Sequence, residues 1–401
     1  MDDDLHALVP GSPTLAPTGS GRLDAVDVAV KDLFAVKGHT ASFGHPRWRE
    51  THGPAKATSP TITRLREQGA RIVGLAKLDQ LAFSLTGNAG EGEAPANPRN
   101  PRYHCGGSSS GSASAVAGSR AQLGIGTDTA GSVRVPAALC GIHGLRPTWG
   151  RLDPAGTIGL APSFDTVGLL AANPQTMRAG FATLAGGPPT VAAPPLHRVL
   201  VAPSVTAELP EATRAAVHAA ATEVAEALGT GVTTVEASRL VAPEVGELFG
   251  RLQGREVWAT HGDWVSRHID ALDDDVALRL RRCRAFATEP EADISADRRD
   301  HRRYREQLAG IVTPGTVLVL PVLGAAGPRL SDDRSALALF RRQCFRLQAP
   351  ASLGGLPQLS WTRPAAPDGR AVGPEATSVG LLGPPGADEI LIDLLGRLAG
   401  T

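Results

Sequence analysis

Residues Gln122 to Gly141 read QLGIGTDTAGSVRVPAALCG. The apolar run ending at Asp128 reads as a short buried strand, the small residues TAGS as a tight turn, and VPAALCG as a helix. In a turn of this kind successive backbone N–H groups can converge on one point, and Ser132 stands at the head of the helix that follows. Converging amides stabilise an oxyanion as it forms, each well-placed donor being worth about 3 kcal/mol of barrier. The same geometry would serve phosphate, but the chain has no G-x-x-x-x-G-K-[ST] and no G-x-G-x-x-G after a strand, which disfavours nucleotide binding. On its own, Ser132 could equally be a helix cap.

The rhythm of strand, glycine-rich turn and helix recurs outward from this stretch. Upstream, DAVDVAVKDLF from Asp24 alternates apolar positions and predicts a strand ending near Lys31. TITRLREQGARIVGLAKLD then reads as a helix, a glycine stop and a buried strand ending at Lys77. Asn88 to Pro101 is a long loop, and CGGSSSGS feeds the small-residue helix ASAVAGS, suited to close packing against neighbouring backbone. Pro189 to Pro195 is linker-like, yet strand-like RVLVAP and a helix from Glu211 to Leu228 follow at once. Glu244 to Ala309 is helical and Arg-rich; TVLVLP, LPQLSWT and ATSVGLLGPP read as strands, and ADEILIDLLGRL closes as an amphipathic helix. Without internal repeats, the pattern predicts a single large α/β domain over 1–401 with a mostly mixed central β-sheet flanked by helices on both faces. Within it lie a motif core at 24–170, a helical middle at 205–310 and C-terminal strands and helix at 315–400.

Composition narrows the function. With 42% apolar and 20% charged residues the chain is of globular type, and no run nears the roughly 18 apolar residues of a membrane span. The acidic start MDDDLHALVPGSP lacks the features of an export signal, so a cytoplasmic location is expected. Cys105, Cys140, Cys283 and Cys344 are too scattered to suggest a metal site and read as free buried thiols. Zero net charge without a basic stripe argues against nucleic acid and for a small-molecule partner.

Two serine stretches compete as nucleophile. Gly107-Ser108-Ser109-Ser110-Gly111 fits G-x-S-x-G and would make Ser109 the nucleophile, but the preceding NPRNPRYHCG is no strand and no downstream histidine stands in a fitting context. The base is suggested by scarcity: Lys31, Lys37, Lys56 and Lys77 are the only lysines among 40 basic residues. Arginine replaces lysine on a solvated surface without loss, but it cannot shed a proton, whereas a buried ammonium can. Composition alone leaves Lys31 and Lys77, each ending a strand, as rivals.

Together these residues resemble the amidase signature hydrolases. The likeness rests on GGSSSGSASAVA, on GIGTDTAGSVRVPAALCGIHGLRPTWGRL and on the pair Lys31-Asp32. It extends through LAPSFDTVG, returns in LGGLPQLSW and GPPGADEILI, and covers most of residues 24 to 170 and much of 350 to 398. LQGREVWATHGDW and the short length are most similar to the compact branch that includes indole-3-acetamide amidases. The resemblance implies the amidase signature fold and a Ser-Ser-Lys triad, with Ser132 as nucleophile, Ser108 as bridging serine after a cis Gly107–Ser108 bond and Lys31 as general base. The backbone amides of Thr129, Ala130, Gly131 and Ser132 would form the oxyanion hole. No cofactor and no metal are implied, and the partner is a small-molecule amide, the protein being a monomer or homodimer. A subunit of a tRNA-dependent amidotransferase and a degenerate non-catalytic binder are the alternatives.

The chain departs from that pattern at Ala130, usually glycine, where a positive φ would cost on the order of 1 to 2 kcal/mol. Cys105 stands where proline is expected, and NAGEGEA at Asn88 to Ala94 carries two acids in a loop expected to approach the site. Asp128 and Arg134 read as a structural pair bracing the turn, His143 as a core histidine, and Trp149, Trp258, Trp264 and Trp361 as packing residues.

Overall fold

Leu123 and Ile125 alternate with Gly124 and Gly126 along one strand, and the two pairs look in opposite directions. In the computed structural model, which describes residues 4–187, 193–363 and 377–400, the leucine and isoleucine join the main apolar core, while the glycines admit a helix. A Cβ at Gly124 would lie 3.0 Å from the Ser112 carbonyl oxygen, and one at Gly126 2.5 Å from the Ser109 Oγ. Glycine at these places is what lets the serine-rich segment lie directly on the sheet.

Ten strands form that sheet: β1 (Asp27–Lys31), β2 (Arg71–Ala76), β3 (Leu123–Asp128), β4 (His143–Arg146), β5 (Thr166–Ala171), β6 (Arg198–Val201), β7 (Val232–Thr234), β8 (Thr316–Pro321), β9 (Gln358–Thr362) and β10 (Ser378–Leu382). Their order is β2-β1-β3-β5-β4-β9-β10-β8-β6-β7. Pairing is parallel toward both edges, where β1 joins β2 and β3 and β6 joins β7 and β8. Across the middle it is antiparallel. The sheet is mixed, as predicted, and the C-terminal strands β9 and β10 lie at its centre, bound to β4 of the motif core.

The described helices are α1 (Pro46–Thr51), α2 (Pro60–Glu67), α3 (Ser110–Ala117), α4 (Arg134–Leu139), α5 (Pro174–Ala185), α6 (Pro203–Thr206), α7 (Glu211–Leu228), α8 (Pro243–His268), α9 (Asp274–Ala287), α10 (Glu291–Ile311), α11 (Arg334–Gly354) and α12 (Asp388–Leu398). α3 packs on the Gly124 face of β3 and α5 on the Leu123 face, so helices cover both sides. The Arg-rich middle forms α8, α9 and α10, as its periodicity predicts. None of the described helices is long and apolar enough to cross a membrane. The linker reading of Pro189 to Pro195 falls largely outside the described residues. All four cysteines are free and buried. Trp149 differs from the packing expected of it: it is 51% exposed and reaches the fold through an indole N–H donated to the Pro162 carbonyl at 3.1 Å.

Candidate active site

Lys31 ends β1 with its side chain fully buried. Its Nζ donates to two hydroxyl oxygens, Ser108 Oγ at 2.8 Å and Thr127 Oγ1 at 3.0 Å. Burial draws the ammonium down from its ordinary value to about 7, against the opposing pull of the Asp79, Asp128 and Asp165 carboxylates. Near neutral pH a large fraction of this lysine is therefore an amine with a free lone pair. Lys77, its rival by composition, turns instead to the Glu93 carbonyl at 2.9 Å.

Ser108 lies in the approach to α3, and the Gly107–Ser108 peptide bond is cis. Its carbonyl accepts from the Asp79 amide at 3.3 Å. Ser132, 4% exposed, sits beside it, since the Ser132 carbonyl accepts from the Ser109 amide at 3.2 Å. Among the described residues the Ser132 hydroxyl makes no hydrogen bond, so the direct link between the Ser108 and Ser132 hydroxyls is not formed. The Ser109 hydroxyl turns away, toward the Thr127 carbonyl at 3.4 Å.

Asp128 organises the turn. Its Oδ1 accepts from the Gly131 amide at 2.9 Å, and its Oδ2 from the Val133 and Arg134 amides at 3.1 and 3.3 Å. The carboxylate thereby does the capping that Ser132 might have done at α4, and leaves the serine hydroxyl unengaged. Arg134 grips the same carboxylate through Nη2 at 2.7 Å and Nε at 2.9 Å, and Arg146 adds a contact at 3.2 Å. Burial works to raise the Asp128 carboxyl, but the two guanidinium groups and the amides outweigh it and hold it below the ordinary carboxylate range. Arg134 also bonds Gln358 of β9 and the Gln348 carbonyl of α11. The pair expected to brace the turn thus fastens it to the C-terminal third of the chain.

One of the four amides expected to form the oxyanion hole is engaged within the turn. The single N–H of Gly131 is committed to Asp128, so Gly131 does not belong with the open donors. The amides of Thr129, Ala130 and Ser132 have no acceptor among the described residues, and the Thr129 hydroxyl is pinned to Asp165 at 2.6 Å. The left-handed φ of the turn, 111°, falls at Gly131, and Ala130 is not among the residues with positive φ. A Cβ at 131 would meet Gln348 Cγ at 2.6 Å. The methyl of Ala130 thus carries no backbone strain, which removes the reason for reading the turn as degenerate.

The amidase family matches residues 15–392, nearly the whole chain. The chain belongs to the amidase family, hydrolases of amide C–N bonds. It is 29% identical over 403 residues to Amidase 1 of Oryza sativa subsp. japonica, which covers 94% of this chain and 91% of that protein. It is 28% identical over 366 residues to the 1-carboxybiuret hydrolase subunit AtzE of Pseudomonas sp. (strain ADP), covering 88% and 79%. A crystal structure of an amidase, 26% identical, superposes with a TM-score of 0.79 over 95% of this chain and 86% of that one.

Three residues of this amidase touch the site without having been singled out from the sequence as part of it. Thr127 meets Lys31 because β1 pairs in parallel with β3, Val30 opposite Ile125, a register that no local pattern discloses. Asp79 is buried; burial raises its carboxyl, while the Ala89 and Gly87 amides, donating at 3.1 Å each, and the nearby Arg279 and Lys31 oppose that rise. Asp165 accepts from the Leu160 and Ala161 amides at 2.7 and 3.0 Å and so holds Thr129. The acids of the NAGEGEA loop turn elsewhere, Glu91 to Arg49 at 3.0 Å and Glu93 to His6 at 2.7 Å.

Proposed function

We propose that this amidase hydrolyses a small carboxylic amide to acid and ammonia or amine through an acyl-enzyme on Ser132. The observation that carries the reading is the fully buried Lys31, drawn down to about 7 and hydrogen-bonded at 2.8 Å to Ser108. In this scheme the Lys31 amine takes the Ser108 proton as Ser108 takes that of Ser132, and Ser132 Oγ adds to the amide carbonyl carbon. The Ser132 hydroxyl, free of other partners, turns to Ser108 to complete the relay. The amides of Thr129, Ala130 and Ser132 receive the oxyanion. Return of the proton along the relay to the leaving nitrogen releases ammonia or an amine, and water, deprotonated by the same relay, cleaves the ester. Aryl amides such as indole-3-acetamide suit the sequence resemblance, and 1-carboxybiuret is the substrate named for a relative.

Ammonia release across a panel of primary amides, with fluorophosphonate labelling of the folded protein, tests this reading. Turnover of at least one amide with a single adduct on Ser132 is expected. An adduct on Ser109, or turnover that survives complete labelling of Ser132, would overturn the assignment.

Thr127 has a positioning role in the scheme. By accepting an N–H from Lys31 it aims the lone pair at Ser108 and favours the charged form of the lysine. Thr127→Val is expected to lower kcat about tenfold and to move the acid limb of the pH profile to lower pH, with Thr127→Ser restoring both. An unshifted limb would reduce Thr127 to a packing residue.

A further inference from the structure

Gln348 lies on α11, fully buried, and its side chain presses on the turn that carries Ser132. A Cβ at Gly131 would meet Gln348 Cγ at 2.6 Å and Val135 Cγ2 at 3.2 Å, so glycine at 131 is what lets the side chain lie this close. The Gln348 backbone carbonyl accepts from Arg134 Nη1 at 3.3 Å, which fixes α11 against the head of α4. Val322, just past β8, shares an apolar cluster with Leu85 and Val135, and the Leu85 carbonyl accepts from the Gly107 amide at 3.0 Å. Gln348, bonded to Val322 through its side chain, thus stands among the segments that carry Ser132 and Ser108.

The two ends of its carboxamide are treated differently. Gln348 Nε2 donates to the Val322 carbonyl at 2.7 Å. That bond sets the orientation, since reversing the amide would bring two carbonyl oxygens together. Oε1 therefore faces the other way, and it is buried without a donor among the described residues. Of the buried side-chain atoms in that condition it is the one carbonyl oxygen, a group that can only accept. Such an oxygen is costly to bury unpaired. The adjoining turn has the opposite imbalance, with the Thr129, Ala130 and Ser132 amides free to donate. Free donors beside a free acceptor complement an amide, whose oxygen accepts and whose nitrogen donates. An ester of the same acid offers the oxygen and no N–H. Sites built to pair a substrate N–H discriminate strongly against analogues that lack it, because their own polar group is then left unpaired.

We propose that Gln348 is a specificity-determining residue whose Oε1 accepts an N–H of the scissile amide, so that the site selects amides bearing an N–H over esters of the same acid. This rests on the amidase reading above. No proton passes to Gln348: it holds the nitrogen while Ser108 returns the proton to the nitrogen lone pair.

The test compares the primary amide and the methyl ester of one carboxylic acid, over several acids, in wild-type protein and in Gln348→Met, which keeps the side-chain length and removes both polar ends. The amide is expected to lose about tenfold more in kcat/KM than the ester. An equal fall for both substrates would reduce Gln348 to a packing residue that ties α11 to Val322, and would overturn the proposal, as would an unchanged amide rate. Calorimetry on Ser132→Ala protein reads the same contact with Gln348 in place and without turnover. There the amide is expected to bind about tenfold tighter than the ester, and equal binding would overturn the proposal even if Gln348→Met does not fold. Tighter binding of the amide to Ser132→Ala protein, with no ammonia release and no fluorophosphonate adduct in the wild type, would support the Gln348 contact while overturning the amidase chemistry.

Discussion

Ser132→Ala is expected to abolish amide hydrolysis, lowering kcat by at least about 10⁴-fold, while the thermal midpoint stays within a few degrees of wild type. The separation of the two effects follows from how the turn is built. The turn is shaped by Asp128, through three amide hydrogen bonds, the two-point grip of Arg134 and the contact from Arg146, and by Asp165, which holds the Thr129 hydroxyl. The Ser132 hydroxyl contributes nothing to that network, so its removal leaves no buried group without a partner, and surface-like costs within about 0.5 kcal/mol are the appropriate scale. What disappears is the atom that bonds to the acyl carbon. Circular dichroism melts beside ammonia release at saturating amide make the comparison. Activity within tenfold of wild type would displace Ser132 as nucleophile; a large fall in melting temperature would show that the serine braces the turn after all.

How much of this was legible beforehand depended on whether the cause was local. The strand ending at Asp128, the turn and the helix after it follow from twenty consecutive residues, and the Gly124 and Gly126 pattern discloses that one face of β3 must receive another backbone closely. The retention of lysine at 31 in an arginine-rich chain pointed to deprotonation before any distance was known, although Lys77 shared the signal until burial and partners separated them. Gly131 was placed in the oxyanion hole by the resemblance, and no local pattern discloses that its N–H is donated to the Asp128 carboxylate. Thr127 and Asp79 became visible through strand register and loop docking, and the Arg134 anchorage through the arrival of β9 and α11 from more than 200 residues away in sequence. Such long-range pairings carry no periodicity to read.

Lys31→Met is expected to do two opposite things: abolish hydrolysis and, at neutral pH, make the protein more stable. The wild-type kcat/KM should rise with pH through a midpoint of about 7 and level off above it, because only the neutral amine can accept the Ser108 proton. Methionine supplies no base, and a loss of at least about 10³-fold at every pH is expected. For stability the sign runs the other way. The unfolded chain holds the lysine proton up to its ordinary value near 10.5, whereas the folded chain releases it at about 7, so between these limits the unfolded state binds more protons and stability rises with pH. The burden of the buried ammonium is complete below about pH 7 and gone above about 10.5, and a displacement of this size is worth on the order of 5 kcal/mol. The hydrogen bonds to Ser108 and Thr127 that methionine forfeits offset roughly 1 kcal/mol each, leaving a net gain of about 2 to 3 kcal/mol at low pH. Guanidinium titrations of both proteins should therefore show Lys31→Met ahead at pH 6.5, with the gap closing and reversing by pH 9.5. A variant destabilised equally at both values would mean that the lysine ammonium is well solvated in the folded state, and that the base of the relay must be sought elsewhere.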